Sequence, residues 1–276
     1  MLGSNVPAKG GVLGAIESAK QLNCECCQIY LTNSRRWSLE PKFSNSADVL
    51  RKIHDSNVKI VSHVPFLVNL ASPCEDLWKK SLDRLRSEIE IAHMLKIDRI
   101  VLHPGSFTSS NKKSGVGRII DGIDAVSGLL NEYGVYLLLE TMSGAGTEIG
   151  STFDELAWII DEVKDNCCVG VCFDTCHVYV SGYDISQEIK YTSIMSEFDR
   201  VLGKSRIRAF HLNNTKENLL SKRDRHCRLS SGNIDIDTFR CIVDSEDFKG
   251  VPKLLEPASS DKDYFSQMQF LLSLRQ

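Results

Sequence analysis

Eight short apolar runs, separated by amphipathic stretches, most constrain what this chain can fold into. Within each run successive residues are apolar, rather than alternate ones, which is typical of parallel strands covered on both faces. From the third run onward the runs recur at steps of roughly 33–45 residues, which leaves room for a helix after each strand. The runs are residues 2–6, 27–31, 58–63, 99–105, 135–140, 169–174, 207–212 and 251–256.

The stretches between the runs have the periodicity of helices. Apolar residues recur at three- and four-residue spacing from Leu82 to Ala92, and Thr152 and Glu155 have the spacing of a capping box. Eight strand–helix units in 276 residues, with no linker-like segment, predict a single (β/α)8 TIM barrel domain over residues 1–276. An open, doubly wound sheet is the alternative.

Six successive predicted strands, the third to the eighth, end on or beside a residue that can bind a metal ion. The chain has only seven histidines and 36 acidic residues, so chance does not account for this coincidence. The strand-end residues are His63, His103, Glu140, Asp174, His211 and Glu256, and three further candidates, His177, Asp224 and His226, follow closely.

The positions of these residues also discriminate between the two folds. In an open sheet, six strand ends spaced about 4.8 Å apart would spread over roughly 24 Å, too far for one compact metal site. In a closed barrel the same ends ring one mouth, where the active sites of such barrels lie. The strand ends therefore favour the barrel, with a trinuclear metal site at the C-terminal mouth of the strands.

The nine candidates comprise five imidazoles and four carboxylates, a donor set suited to zinc, with manganese as second choice. Nine ligands suffice for three ions with open coordination positions, an arrangement suited to hydrolysis of phosphate esters. The formal charge of −3 argues against a nucleic-acid partner. Three Zn²⁺ ions would add six positive charges at the barrel mouth and remove that objection. The other two histidines, His54 and His93, fall within predicted helices and are interpreted as ordinary surface or groove residues.

Three loops at the same mouth carry cations together with aromatic or apolar side chains. Any one of them alone is typical of a solvated surface, but three beside a metal cluster predict contact with nucleic acid. Asn33, Arg35, Arg36 and Trp37 follow the second strand, Phe66 and Leu67 follow the third, and Lys216, Lys222, Arg223, Arg225 and Arg228 surround Asp224 and His226.

The remaining features predict a cytoplasmic protein without a membrane span. No apolar run approaches the roughly 18 residues that a span needs, and the N-terminus lacks the pattern of a secretory signal. The cysteines do not form a recognisable zinc site. Cys24 and Cys27 have C-x-x-C spacing, but no second cysteine pair lies at the distance that a structural zinc site needs. Cys168, Cys172 and Cys241 lie in apolar stretches, so the ten cysteines are expected to be mostly buried free thiols. Nothing predicts an oligomer, and a monomer is expected.

Several strings resemble the endonuclease IV family of zinc-dependent apurinic/apyrimidinic endonucleases. They include "LHPGS", "GVCFDTCHVYVSGYD", "HLNNTK", "DRHCRLSSGNI" and "LLEP", and the resemblance covers nearly the whole chain. It implies three zinc ions, with manganese possible at one site. The implied ligand groups are His63, His103 and Glu140; then Glu140, Asp174, His211 and Glu256; and then His177, Asp224 and His226.

The resemblance also implies an activity. It is hydrolysis of the phosphodiester on the 5′ side of an abasic site in double-stranded DNA, leaving a 3′-hydroxyl and a 5′-deoxyribose phosphate. A metal-bridging hydroxide would be the nucleophile, with Glu140 and Glu256 as catalytic metal ligands. Trimming of blocked 3′ ends is a further implied activity. Asn33, Arg35, Trp37, Phe66 and Leu67 match positions on the DNA-penetrating loops of the family, and Arg225 lies in its "DRH" string.

Four departures from the family pattern bear on rate and lesion preference rather than on reaction type. Asn5 stands where histidine is usual, Phe66 where tyrosine is common, Asn214 where the family has aspartate, and Pro257 follows Glu256 in place of threonine.

Two alternative functions remain. A sugar isomerase or epimerase on the related metal-dependent barrel would leave the "DTCH" and "DRH" strings without a role. A zinc-dependent architectural DNA-binding protein would need no open coordination positions.

Overall fold

Eight parallel strands form a closed barrel in the computed structural model, which describes residues 1–34, 36–37, 46–257 and 264–275. Each strand pairs with the next along the chain, and the first pairs with the eighth, with Gly3 opposite Leu254. The predicted barrel is thus confirmed, and the open sheet is excluded. The barrel strands, numbered in chain order, are Leu2–Asn5, Cys26–Ile29, Lys59–His63, Arg99–Leu102, Tyr136–Glu140, Val169–Asp174, Ile207–His211 and Lys253–Leu255.

Helices surround the barrel. Those in the described residues are α1 (Gly11–Gln21), α2 (Ala47–Asp55), α3 (Glu75–Met94), α4 (Lys112–Tyr133), α5 (Phe153–Glu162), α6 (Thr175–Ser181), α7 (Glu188–Val201), α8 (Ile236–Asp244) and α9 (Tyr264–Leu272). Short 3-10 turns lie at Lys204–Arg206, Leu229–Ser231 and Glu246–Phe248. None of the described helices is long and apolar enough to cross a membrane.

Two small antiparallel ladders fold the loops over the C-terminal mouth. Gly105–Ser106 pairs with Glu148–Ile149, and Asn214–Thr215 pairs with His226–Cys227. The second ladder returns the chain to the end of the seventh strand after a long loop. As a result His226 lies beside residues from which it is distant in sequence.

The apolar strands are buried on both faces, as their composition predicts. Inside the barrel, one small or medium-sized side chain from each of seven strands fills the centre: Cys26, Val61, Val101, Leu138, Cys172, Ala209 and Leu254. Outside it, the strands pack on the apolar faces of the helices, including Leu85 and Ile89 of α3. The interior is therefore a packed core, and the open space lies at the mouth.

The cysteines are free thiols, and five of them, Cys24, Cys26, Cys27, Cys172 and Cys176, are buried. Cys168 and Cys241 are only partly buried, which differs from the expectation that their apolar neighbours suggested. Among the described residues, neither Cys24 nor Cys27 belongs to a group of metal-type ligands.

The predicted capping box at the start of α5 is half formed, since Thr152 Oγ1 accepts from the Glu155 amide at 3.2 Å. The Glu155 carboxylate accepts instead from the Gly150 and Ser151 amides.

Candidate metal centre

Glu140 lies at the centre of the barrel mouth and faces four histidines. Its Oε2 atom is 3.1 Å from His63 Nε2 and 3.1 Å from His103 Nε2. Its Oε1 atom is 3.0 Å from His211 Nδ1 and 3.3 Å from His177 Nδ1. The two oxygens of one buried carboxylate therefore face different ligand groups, which is the geometry that a bridging ligand requires.

All nine predicted ligands, six from strand ends and three that follow them, come together at this mouth. His103 and Glu256 lie one residue beyond their strands, which end at Leu102 and Leu255. Four groups have ligand atoms within 4.8 Å of one another: His63, His103 and Glu140; Glu140, Asp174, His211 and Glu256; Asp174, His177 and His226; and Cys176, Asp224 and His226. The first two are the groups that the resemblance implies. The last two share His226 and surround the implied third group.

Asp174 explains why the sixth strand ends on a carboxylate and is followed so closely by a histidine. The strand passes directly into α6, and Asp174 Oδ1 caps this helix by accepting from the His177 amide at 2.8 Å. Thr141 holds both residues, because its Oγ1 accepts from the Asp174 amide at 2.9 Å and its carbonyl accepts from His177 Nδ1 at 2.9 Å. His177 Nε2 is thereby directed towards Asp224 Oδ1, 3.2 Å away.

Two residues that were not predicted orient the ligands. Gln28 is fully buried, and its Oε1 accepts from His211 Nε2 at 2.8 Å while its Nε2 donates to Glu256 Oε1 at 2.8 Å. Asn213 Nδ2 donates to Asp174 Oδ2 at 2.6 Å and to Glu256 Oε2 at 3.1 Å. Such partners fix the ring orientation and the tautomer of metal ligands. A glutamine within an apolar strand was the available signal for Gln28, since a buried amide needs hydrogen-bond partners.

The hydrogen bonds leave imidazole lone pairs aimed at carboxylates. His63 Nδ1 donates to the Val64 carbonyl at 2.7 Å, and its Nε2 then faces Glu140. His211 donates from Nε2 to Gln28, and its Nδ1 then faces the oxygens of Glu140 and Glu256. A lone pair does not face a carboxylate unless a proton or a metal ion lies between them. Nitrogen and oxygen donors arranged in this way fit zinc.

Two orphaned nitrogens point to the same conclusion. The Nε2 atoms of His177 and His226 are buried and make no hydrogen bond among the described residues. Buried polar atoms are nearly always paired, so an unpaired one calls for a specific explanation. Both atoms lie close to Asp224 Oδ1, at 3.2 and 3.0 Å. An ion held by these three side chains would pair all of them.

The proximity of the charges shifts the pKa values strongly. Burial by itself would raise the pKa of Glu140, but the cationic His211 and His103 hold it well below its usual value. Burial would lower the pKa of His177, but Asp174, Asp224 and Glu140 raise it well above its usual value. Burial raises the pKa of Asp174 despite the neighbouring His177 and His226, so protons are shared among the buried carboxylates and imidazoles of the mouth. Divalent metal ions can replace those protons.

Among the predicted nucleic-acid contacts, Phe66 lies directly beside the metal ligands. Phe66 is 60% exposed, with its ring 5.8 Å from that of His63 and 5.5 Å from that of His103. Trp37 is exposed, whereas Leu67 and Asn33 are partly buried. Arg225 is exposed, with Nη1 3.3 Å from Glu217 Oε1. Arg35 lies outside the described residues. That these side chains touch DNA stays a prediction.

Three departures from the family pattern now have a location. Asn5 and Pro257 line a cavity of about 340 Å³ together with Tyr30, Phe66 and the ligands His63, His103, Glu140, His177, Asp224, His226 and Glu256. Asn214 is buried away from the ligands, where its Nδ2 donates to the Leu229 carbonyl at 2.7 Å and to the Ile234 carbonyl at 2.8 Å. Asn214 therefore holds the segment that follows His226 against the end of the seventh strand.

Comparison with known proteins places the chain in a family. The family model described as "Xylose isomerase-like TIM barrel" matches residues 16–274. A protein of Trichlorobacter lovleyi named "Probable endonuclease 4" is 36% identical over 98% of this chain and 97% of its own length. A crystal structure of endonuclease IV from Thermus thermophilus superposes with a TM-score of 0.83 at 28% identity, covering 99% of this chain and 98% of that one.

The barrel itself is shared more widely. A crystal structure of a D-tagatose 3-epimerase-like protein superposes with a TM-score of 0.73 at 19% identity, covering 99% of this chain and 96% of that one. A likeness at that identity shows a common fold and nothing about the reaction. The near full-length identity to relatives named endonuclease 4 is the more specific relationship. The chain therefore belongs to the endonuclease 4 family of the xylose isomerase-like TIM barrels.

Proposed function

We propose that this protein hydrolyses the phosphodiester on the 5′ side of abasic sites in duplex DNA, leaving a 3′-hydroxyl and a 5′-deoxyribose phosphate. The observation that carries the proposal is the position of Glu140 between two ligand groups, with Oε2 facing His63 and His103 and Oε1 facing His211. A carboxylate placed in this way can bridge two ions, and neighbouring ions suit attack on a phosphodiester. Membership of the endonuclease 4 family supports DNA as the substrate.

The cofactor would be three zinc ions, with manganese possible at one site. His63, His103 and Glu140 would hold one ion, and Glu140, Asp174, His211 and Glu256 a second. His177, Asp224 and His226 would hold the third, which is supported by the Nε2 atoms of His177 and His226, since neither has a hydrogen-bond partner among the described residues. When bound, zinc supplies Lewis-acid chemistry, because it makes water a stronger acid near neutral pH and stabilises charge on a phosphate and its leaving oxygen.

The protein's own residues would orient the ligands and bind the substrate. Gln28 and Asn213 hold His211, Asp174 and Glu256 in fixed orientations through the hydrogen bonds described above. Phe66, which projects beside the cluster, would stack on or wedge between bases with Leu67. Asn33, Arg35, Trp37 and Arg225 would contact the backbone from the flanking loops.

Three further features belong to the proposal. Blocked 3′ ends would be trimmed at the same cluster, because their removal is also hydrolysis of a phosphate ester. The protein would act as a monomer. It would act in the cytoplasm of a bacterial-type cell, as supported by the bacterial sources of its relatives.

A nicking assay tests the proposal. The substrate is a duplex with one tetrahydrofuran abasic analogue, which cannot undergo β-elimination, so any cut must be hydrolytic. We expect a cut on its 5′ side that leaves a 3′-hydroxyl, is lost on zinc chelation and is absent from an undamaged duplex. Glu140→Gln, which keeps the shape but not the charge, should abolish cutting, whereas His54→Gln on the exposed face of α2 should leave it unchanged. Zinc-replete protein that does not cut would contradict the proposal.

A further inference from the structure

Two neutral polar side chains, Asn5 and Tyr30, form the wall between the metal cavity and a second cavity. Both line the 340 Å³ cavity that contains the ligands and also an adjoining cavity of about 280 Å³. The adjoining cavity is further bounded by Pro7, Thr32, Asn33, Ser34 and Tyr264. None of the described residues that line it is acidic, in contrast to the carboxylate-rich cluster beside it.

The barrel architecture places this pair at the mouth. Asn5 ends the first strand and lies opposite Gln28 of the second strand. Tyr30 follows Gln28 by two residues, which is the spacing of side chains that share one face of a strand. The ring of Tyr30 lies 5.3 Å from that of His63 and 5.5 Å from that of Phe66. Asn5 and Tyr30 therefore border the cluster without belonging to its ligand set.

Hydrogen bonding separates this pair from the groups that orient the ligands. Both ends of the Gln28 amide are bonded, one to His211 and the other to Glu256. By contrast, within the described part of the chain neither the Asn5 amide nor the Tyr30 hydroxyl makes a hydrogen bond, although both residues are partly buried. Polar groups that line a cavity in this way can bond to a ligand without first breaking a bond within the protein.

The chemistry of the two groups indicates what they would bind. The Tyr30 side chain supplies one O–H donor. The Asn5 amide supplies further N–H donors. Asparagine and tyrosine side chains, like those of serine and threonine, are common partners of phosphate oxygens in protein–DNA complexes. A DNA strand leaving the metal cluster towards Asn33 would meet this second cavity next.

We propose that Asn5 and Tyr30 form a subsite that binds a phosphate oxygen of the nucleotide next to the bond that is cut. This subsite rests on the proposed function, because it assigns a part of the same substrate to a second cavity. It makes Asn5 and Tyr30 binding residues that hold the strand in register with the metal cluster. The bond to phosphate is made in the ground state and in the transition state alike, so its loss should appear in KM rather than in kcat.

Tyr30→Phe tests the subsite most directly, because it removes one oxygen and keeps the ring packed on His63 and Phe66. We expect KM for the tetrahydrofuran duplex to rise by about tenfold, with kcat, zinc content and melting temperature unchanged. Tyr133→Phe is the matched control. Its hydroxyl belongs to a ring stacked on His93, 4.0 Å between centroids, on the outer helices. It should leave KM unchanged.

Two substitutions of Asn5 identify the bound group. Asn5→Leu removes the donor at similar volume and should raise KM, whereas Asn5→Asp adds a negative charge and should raise it further if the ligand is a phosphate. A sugar hydroxyl would instead donate to the aspartate, so Asn5→Asp binding as well as Asn5→Leu or better would overturn the assignment to phosphate.

Wild-type KM in both Tyr30→Phe and Asn5→Leu would overturn the subsite altogether. That result requires an enzyme that cuts. It is therefore distinct from failure of the wild-type protein to cut, which would count against the proposed function instead.

Discussion

Arg84 and Glu88, one turn apart on α3, form a buried ion pair beneath the loop that follows the second strand. Arg84 Nε lies 2.8 Å from Glu88 Oε1, and the side chains are 2% and 0% exposed. The Arg84 guanidinium also contacts Thr32 Oγ1 and donates to the Arg36 carbonyl at 3.2 Å and the Asn33 carbonyl at 3.4 Å. The pair therefore anchors the backbone of the loop that carries Asn33 and Trp37.

This anchoring predicts different effects for single and double substitutions. Arg84→Met leaves the Glu88 carboxylate buried without its cation and should lower the free energy of unfolding by about 3–5 kcal/mol. Adding Glu88→Met should restore most of that stability, because buried ion pairs and apolar replacements are often equivalent. The double variant should still bind DNA more weakly, because the loop carbonyls lose their donor.

Urea unfolding would measure the change in stability, and KM for the tetrahydrofuran duplex would measure the change in DNA binding. The exposed pair of Lys52 and Asp48 on α2 is the matched control, and Lys52→Met should cost less than about 1 kcal/mol. A double variant that regains both stability and wild-type KM would show that the pair has no role in holding the loop.

Replacing Gln28 should lower the affinity for metal without removing any metal ligand. Gln28→Leu removes the bond that orients the His211 ring and leaves Glu256 with only its bond from Asn213. Metal affinity should fall by about 10–100-fold, as is typical for partners of metal ligands. Competition with a fluorescent zinc chelator measures the affinity, and Gln269→Leu on the exposed face of α9 is the control. Unchanged zinc affinity in Gln28→Leu would contradict the orienting role.

The backbone conformation of Leu220 indicates that replacing this residue with glycine should stabilise the protein. Its φ angle is +64°, a left-handed conformation that non-glycine residues rarely adopt, and its side chain is 63% exposed. Leu220→Gly should relieve about 1–2 kcal/mol of strain, offset in part by the greater entropy of glycine in the unfolded chain. We expect a net gain of up to about 1 kcal/mol, or roughly 2–4 °C in melting temperature.

The adjacent residue provides the comparison. Leu219 does not have a positive φ, so Leu219→Gly gains nothing from relief of strain and should lower the melting temperature. If Leu220→Gly lowers it as well, then packing of Leu220 against Gly182 outweighs the strain.

Lys253, at the opposite end of the barrel from the metal ligands, should make the free energy of unfolding depend on pH. It begins the eighth strand, is 1% exposed and donates from Nζ to the Phe248 carbonyl at 2.8 Å. Burial lowers the pKa of Lys253 to about 8. Between pH 8 and the ordinary lysine value, the unfolded chain keeps a proton that the folded protein has released, so the free energy of unfolding should rise with pH.

The gain should reach at most about 3 kcal/mol across that window. Lys253→Met removes the titrating group, so the difference in free energy of unfolding between the wild type and this variant isolates its contribution. Urea unfolding at several values between about pH 7.5 and 10.5 measures the slope. Equal slopes for the two proteins would show that the Lys253 pKa is not lowered by folding.

The sequence by itself determined the fold and the location of the site. Apolar runs such as residues 169–174 and 207–212 mark strands because both faces of a parallel barrel strand are buried. Residues at the ends of those runs must meet at one mouth, because a closed barrel brings all its carboxyl ends together. Both inferences depend only on local periodicity and on the order of residues along the chain.

Only the tertiary structure decided which atoms meet. His211 and Gln28 are 183 residues apart and lie on strands that do not pair with each other, yet they share a 2.8 Å hydrogen bond across the mouth. The two-sided position of Glu140, the Arg84 anchor and the packing of Tyr30 against His63 and Phe66 likewise depend on contacts between distant segments. A periodic pattern shows which face a side chain takes. A hydrogen bond requires positions within a few tenths of an ångström, and these are reached only when the barrel closes and its core packs.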